Sequence, residues 1–186
     1  MIKYLLILLL LIYGQIVSYS QNILSFDAED ITFEIQDSVF TVKGIYYFSS
    51  ESEKRYSILY PFPTDSIYGK PMGIVVKYII SGETIDYKVK KDSSSISFSA
   101  LIKEKTPVMI SYQQHLKSNK ARYILRSTNY WNKPLQQVNY KLITEPDFII
   151  KRFSTPPDKE ITLNNKKIYL WQRQNFMPTN DFENDY

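Results

Sequence analysis

The chain holds a single histidine, His115, and no cysteine, which narrows the available chemistry at once. A Ser-His-Asp arrangement would have to use His115, with a serine from elsewhere and an acid to orient the ring. No Gly-x-Ser-x-Gly turn supplies a strained nucleophile. His115 sits where a predicted strand runs out into residues 116–120, the setting of a surface-loop histidine. Catalytic zinc draws several ligands from His and Cys, so a zinc site of that type is excluded and no metal ligand is assigned. The five glycines never cluster, leaving no phosphate-cradling loop. No cofactor is expected.

Acids come in two groups. Asp27, Glu29 and Asp30 lie near the beginning, and Asp181, Glu183 and Asp185 alternate near the end. Alternate residues of a strand share a face, so the second trio could present oxygens to calcium. The glycine and terminal glutamate of a calcium loop are missing, and both groups read as solvated chain ends. Glycoside hydrolysis needs two carboxyls ~5–9.5 Å apart across a cleft, and no pair stands out. The constellation best suited to binding is Arg122, Arg126, Tyr130 and Trp131, with Lys133 beside it. Aromatic faces next to cations stack on sugar rings or grip a peptide, and 127–134 reads as an irregular loop, where binding residues concentrate. Trp131 also suits a plug at one end of a core. Trp171, alternating with Tyr169, and Phe62, between two prolines, read as core residues.

The elements that must position these residues are strands. Alanine occurs three times, isoleucine twenty-three times and tyrosine sixteen times. Alanine favours helices, whereas β-branched and aromatic side chains fit a pleated, half-buried surface. Ile31-Thr32-Phe33-Glu34-Ile35 alternates with period two. Residues 39–48 continue as a strand, joined by a tight turn at Asp37-Ser38, with Gly44 as a bulge or close-packing point. Residues 56–60 form a strand that Pro61-Phe62-Pro63 stops. After a turn-rich 64–73, the segments 74–80 and 84–89 flank Ser81-Gly82-Glu83 as a hairpin. In 95–101, Ile96, Phe98 and Ala100 face one way and the serines the other. Strands are expected at 107–113, 121–126, 138–144, 147–153, 160–163 and 166–171, the last two joined by Asn164-Asn165. About a dozen short strands at spacings of ~8–12 residues predict an antiparallel β-sandwich.

Residues 1–20 carry a positive start at Lys3, an apolar run over 4–13, and small residues at Ser18 and Ser20. That is the layout of a secretory signal peptide, and the run falls short of the ~20 apolar residues that span a bilayer. Residues 21–186 are then one exported β-sandwich domain, periplasmic, cell-surface or secreted. With no cysteine, neither disulfides nor a lipidated cysteine serves this chain. No Asn-x-Ser/Thr site occurs. The formal charge of +4, reduced by one when Lys3 is removed, is too small and too scattered for nucleic acid.

Gly44 to Phe48, followed by Ile58-Leu59-Tyr60-Pro61-Phe62-Pro63, resembles the strand, polar loop and Tyr-x-Phe-Pro signature of VIT-like (vault and inter-alpha-trypsin) β-sandwich domains. Ile110-Ser111-Tyr112-Gln113-Gln114, Tyr123-Ile124-Leu125, Trp131 with Pro134-Leu135, and Asn175-Phe176-Met177-Pro178 are similar to bacterial exported families of unknown function. The resemblance implies the fold and contributes no catalytic residue. Such proteins usually carry a von Willebrand A-type domain after the sandwich, and no function tied to that domain is carried over. The expectation is a non-enzymatic module of the bacterial envelope that binds a protein or glycan. A small glycan-active hydrolase with a carboxylate pair is the alternative class, and a barrel enclosing a ligand among the tyrosines is a third.

Overall fold

A computed structural model describes residues 24–65 and 67–186, so the proposed leader lies outside the described residues. Within them the chain is all-β. The strands are β1 (Ser25–Gln36), β2 (Val39–Ser49), β3 (Lys54–Pro61), β4 (Tyr68–Tyr78), β5 (Tyr87–Val89), β6 (Ser95–Ile102) and β7 (Thr106–Leu116). They continue as β8 (Lys120–Tyr123), β9 (Leu135–Thr144), β10 (Arg152–Phe153), β11 (Lys159–Leu163), β12 (Lys166–Phe176) and β13 (Phe182–Asp185), with a 3-10 helix at Arg126–Trp131.

One layer is a seven-stranded sheet in the order β11-β12-β9-β1-β2-β7-β4. Two three-stranded sheets, β3-β6-β5 and β10-β13-β8, cover its inner face. Period-two alternation selects that face: Ile31, Phe33 and Ile35 of β1 point inward with Phe40, Val42 and Tyr46 of β2. Their rings meet the covering layer, as in the Phe33–Phe182 stack at 4.4 Å and the Tyr60–Tyr112 edge contact at 6.2 Å. Buried side chains from all three sheets form one continuous cluster.

Local chemistry explains the joints. Asp37 and Ser38 take φ of 50° and 61°, and Asn164 and Asn165 take 50° and 56°, the left-handed pairs that a two-residue hairpin needs. Gly44 is a close-packing point, because a Cβ there would collide with the Tyr46 ring lying over it. Past Pro61 the chain leaves the sheet, and the buried Gln114 amide pins it by donating to the Pro63 and Gly69 carbonyls at 2.9 and 2.6 Å. Phe62 is thereby driven into the core against Tyr112, 4.8 Å away.

Several expectations are corrected. β1 pairs with β9 in parallel, so the main sheet is mixed. The turn at Ser81-Gly82-Glu83 forms, but after the bridge Lys77↔Thr84 the chain changes layer and Tyr87–Val89 pairs with β6. β4 begins at Tyr68 within the supposed turn region; Pro71 is tolerated because β4 is an edge strand with two register shifts. Residues 147–151 are not strand, since Pro146 and Asp147 turn the chain and only Arg152–Phe153 pairs. His115 stands exposed at the end of β7 and not in a loop. Neither acidic group is a solvated chain end: the first lies in β1, and Glu183 and Asp185 lie in β13, with Asp181 just before it.

Candidate functional site

The four residues expected to form a binding face do not converge. The Arg122 guanidinium grips the Asp181 carboxylate, its Nε 3.1 Å from Oδ2, and lies 5.9 Å over the Tyr68 ring. The Arg126 N–H donates to the other Asp181 oxygen at 3.0 Å. Burial acts to raise the Asp181 carboxyl, but the Arg126 N–H and the Arg122 guanidinium outweigh it and hold it below the usual range. Both arginines thus serve an internal clasp that fastens β13 beside β8. Trp131 packs on Phe26 and Phe48, with ring centroids 5.7 and 5.9 Å away, and plugs that end of the core. Tyr130, on the same short helix, points out at 88% exposure. Lys133 reaches back to Ser25 at 3.3 Å.

The interior is filled. A hollow of about 40 Å³, lined by residues including Glu29, Tyr46, Tyr60, Tyr123 and Trp131, remains between the layers. It is far below the ~300–1,000 Å³ of ligand sites, which removes the ligand-enclosing barrel. Glu29 is buried beside it and accepts a 2.5 Å hydrogen bond from the Tyr140 hydroxyl. Burial pushes its carboxyl up to about 7, against the opposing pull of that bond. On the outer face of the main sheet a shallow hollow of about 430 Å³ surrounds Asp30. That carboxylate is already engaged by the Tyr47 hydroxyl at 2.8 Å and the Asn139 amide at 2.6 Å.

A larger concavity lies elsewhere, at about 600 Å³, between the turn that follows β4 and the ends of β3 and β6. Tyr78, Ile85, Leu101 and Pro107 give it an apolar floor, and Ile80 overhangs it at 82% exposure. Cations Arg55, Lys103 and Lys105 and acids Glu53, Glu83, Asp86 and Glu104 stand around it. Both walls are fixed by hydrogen bonds to backbone groups. In one, the Tyr78 N–H donates to the Glu83 carbonyl at 3.0 Å and the Ile79 N–H to the Pro107 carbonyl at 3.1 Å. In the other, the Thr106 hydroxyl accepts from the Lys103 N–H at 3.0 Å and donates to the Lys103 carbonyl at 3.1 Å. The Leu101 N–H donates to the Tyr78 hydroxyl at 2.7 Å and joins the two.

Sequence reasoning missed this groove, whose walls come from segments far apart in the chain. One signal was present: Ile79-Ile80 breaks the alternation by placing two aliphatic residues in a row before a polar turn. Among the described residues no three His, Cys, Asp or Glu side chains are grouped to hold a metal ion.

No protein-family model matches the chain, and no curated protein sequence matches it significantly. Among solved structures the fold is similar to that of a Legionella pneumophila protein described as a "putative nutrient binding protein". The match has a TM-score of 0.66 and 11% identity, and covers 89% of this chain and 67% of that one. At that identity the likeness is one of fold.

Proposed function

We propose that this chain is a non-enzymatic binding module, exported to the cell envelope, that takes its ligand in the groove between the β4 turn and the ends of β3 and β6. One observation carries the reading: a concavity of about 600 Å³ combines an apolar floor with polar walls fixed by hydrogen bonds to backbone groups. That volume falls within the ~300–1,000 Å³ of ligand sites, and preformed walls reduce the ordering cost of binding. The L. pneumophila neighbour, by its description as a "putative nutrient binding protein", agrees with a binding role. Export rests on the pattern of Lys3 and the apolar run after it, and the VIT-like likeness on the Tyr-x-Phe-Pro segment, whose Phe62 wedges the core.

The test is retention. Envelope-extract fractions are passed over immobilised protein and over an Ile80→Asp, Leu101→Asp variant, and whatever is retained is identified by mass spectrometry. A component held by the wild type and recovered at unchanged mass, but not held by the variant, is the expected result. Equal retention by both removes the groove from the account. Recovery of a shortened glycan favours the carboxylate-pair hydrolase instead.

A further inference from the structure

We infer that the ligand of this groove is an extended polypeptide segment bearing charges of both signs around an aliphatic side chain. The inference rests on the groove being the binding site. Seven ionisable side chains stand around it: Arg55, Lys103 and Lys105 against Glu53, Glu83, Asp86 and Glu104. Among the described residues, none of the seven is within 4.0 Å of an opposite charge. Elsewhere among the described residues the surface is mixed: Glu34, Lys70 and Glu160 also stand more than 4.0 Å from an opposite charge, while other acids are paired. Asp181, Glu183 and Asp185 all hold cationic partners, as do Asp158 and Glu145.

An isolated exposed charge calls for no partner, because an exposed pair is worth only ~0–1 kcal/mol. Seven collected around one concavity, three cations and four acids, form a pattern that a ligand can match in register. Charge complementarity of this kind selects the partner and speeds its arrival. Between the charges, Tyr78, Leu101 and Ile80 offer apolar surface for one aliphatic side chain. An uncharged glycan would leave the charges unmatched, and it lacks a platform here. The aromatic ring in the groove, Tyr78, is half-buried against the core with its hydroxyl bonded to the Leu101 N–H.

The experiment pans phage-displayed random octapeptides against the full chain, and measures neutral malto- and chito-oligosaccharides on the same surface. Enriched peptides are expected to carry both Lys or Arg and Asp or Glu around Leu, Ile or Val. Arg55→Gln combined with Glu83→Gln should weaken them about ten-fold, as should high salt. Both positions are exposed, and far-UV circular dichroism confirms that the variant is folded. Neutral oligosaccharides binding the wild type but not Leu101→Asp would overturn the polypeptide and leave the groove standing. Ligands that bind Leu101→Asp as well as the wild type, or no enrichment and no oligosaccharide binding, would overturn both.

Discussion

Glu29 carries a carboxyl into a core built of rings and aliphatic side chains, and its position follows from period two. The alternation of Ile31, Phe33 and Ile35 extended two residues upstream puts Glu29 on the apolar face. A register shift between Phe26 and Ala28 lets Phe26 point inward as well. Burial raises the carboxyl from 4.5 to about 7, so the folded state holds this proton more tightly than the unfolded chain does. Below about pH 4.5 both states are protonated and nothing is lost. As pH rises from there through about 7 the folded state loses stability, and above it the full cost is present, roughly 3 kcal/mol at ~1.4 kcal/mol per unit. Glu29→Gln keeps an oxygen for the Tyr140 hydroxyl and removes the charge. The variant should match the wild type in urea unfolding near pH 4.5 and exceed it by about 2–3 kcal/mol near pH 8. An unchanged difference at the two pH values would show that Glu29 is charged in the folded state throughout.

The 3-10 helix Arg126–Trp131 shows how one short element divides its labour. Trp131 faces in against Phe26 and Phe48, while its neighbour Tyr130 is almost fully exposed. Trp131 is only half-buried, so Trp131→Ala should cost about 2–3 kcal/mol, below the ~3–5 of a fully buried Trp, and lower the melting temperature by roughly 5–10 °C. Tyr130→Ala should stay within about 0.5 kcal/mol. A Tyr130 effect equal to that of Trp131 would mean that the helix packs differently. What was legible in advance follows the same line between local and distant forces. Asp37-Ser38, Asn164-Asn165 and the inward trio Ile96, Phe98 and Ala100 are set by neighbouring residues, and their expected roles match the structure. The β1–β9 pairing joins segments about a hundred residues apart, and nothing local favours parallel over antiparallel there. The arginines of the expected binding face are drawn to Asp181, a partner more than fifty residues downstream that no spacing rule identifies. The groove is hidden for the same reason, its walls meeting only after the chain changes layer beyond Thr84.

At the scale of the whole molecule, two small sheets share one large one, and a single buried hydroxyl of the large sheet meets both small ones. Tyr46 of the main sheet meets Tyr60 of β3 at 2.8 Å and Tyr123 of β8 at 3.0 Å. All three rings are buried. Tyr46→Phe keeps the ring that shields Gly44 and leaves two buried hydroxyls without their shared partner, at a cost of ~1–3 kcal/mol. Because the buried side chains form one cluster across the three sheets, that loss should lower the midpoint of urea unfolding without changing its steepness. The two tryptophans report from different places, Trp131 against Phe48 and Trp171 against Phe182. In single-tryptophan variants, Trp131→Phe and Trp171→Phe, fluorescence should lose native signal at the same urea concentration as far-UV circular dichroism does, with and without Tyr46→Phe. Two separated transitions in either background would mean that β3-β6-β5 and β10-β13-β8 melt from the large sheet independently. The groove walls, one belonging to the β4 turn and the other to the ends of β3 and β6, would then be joined by the Tyr78–Leu101 and Tyr87–Ile74 hydrogen bonds and the contacts beside them.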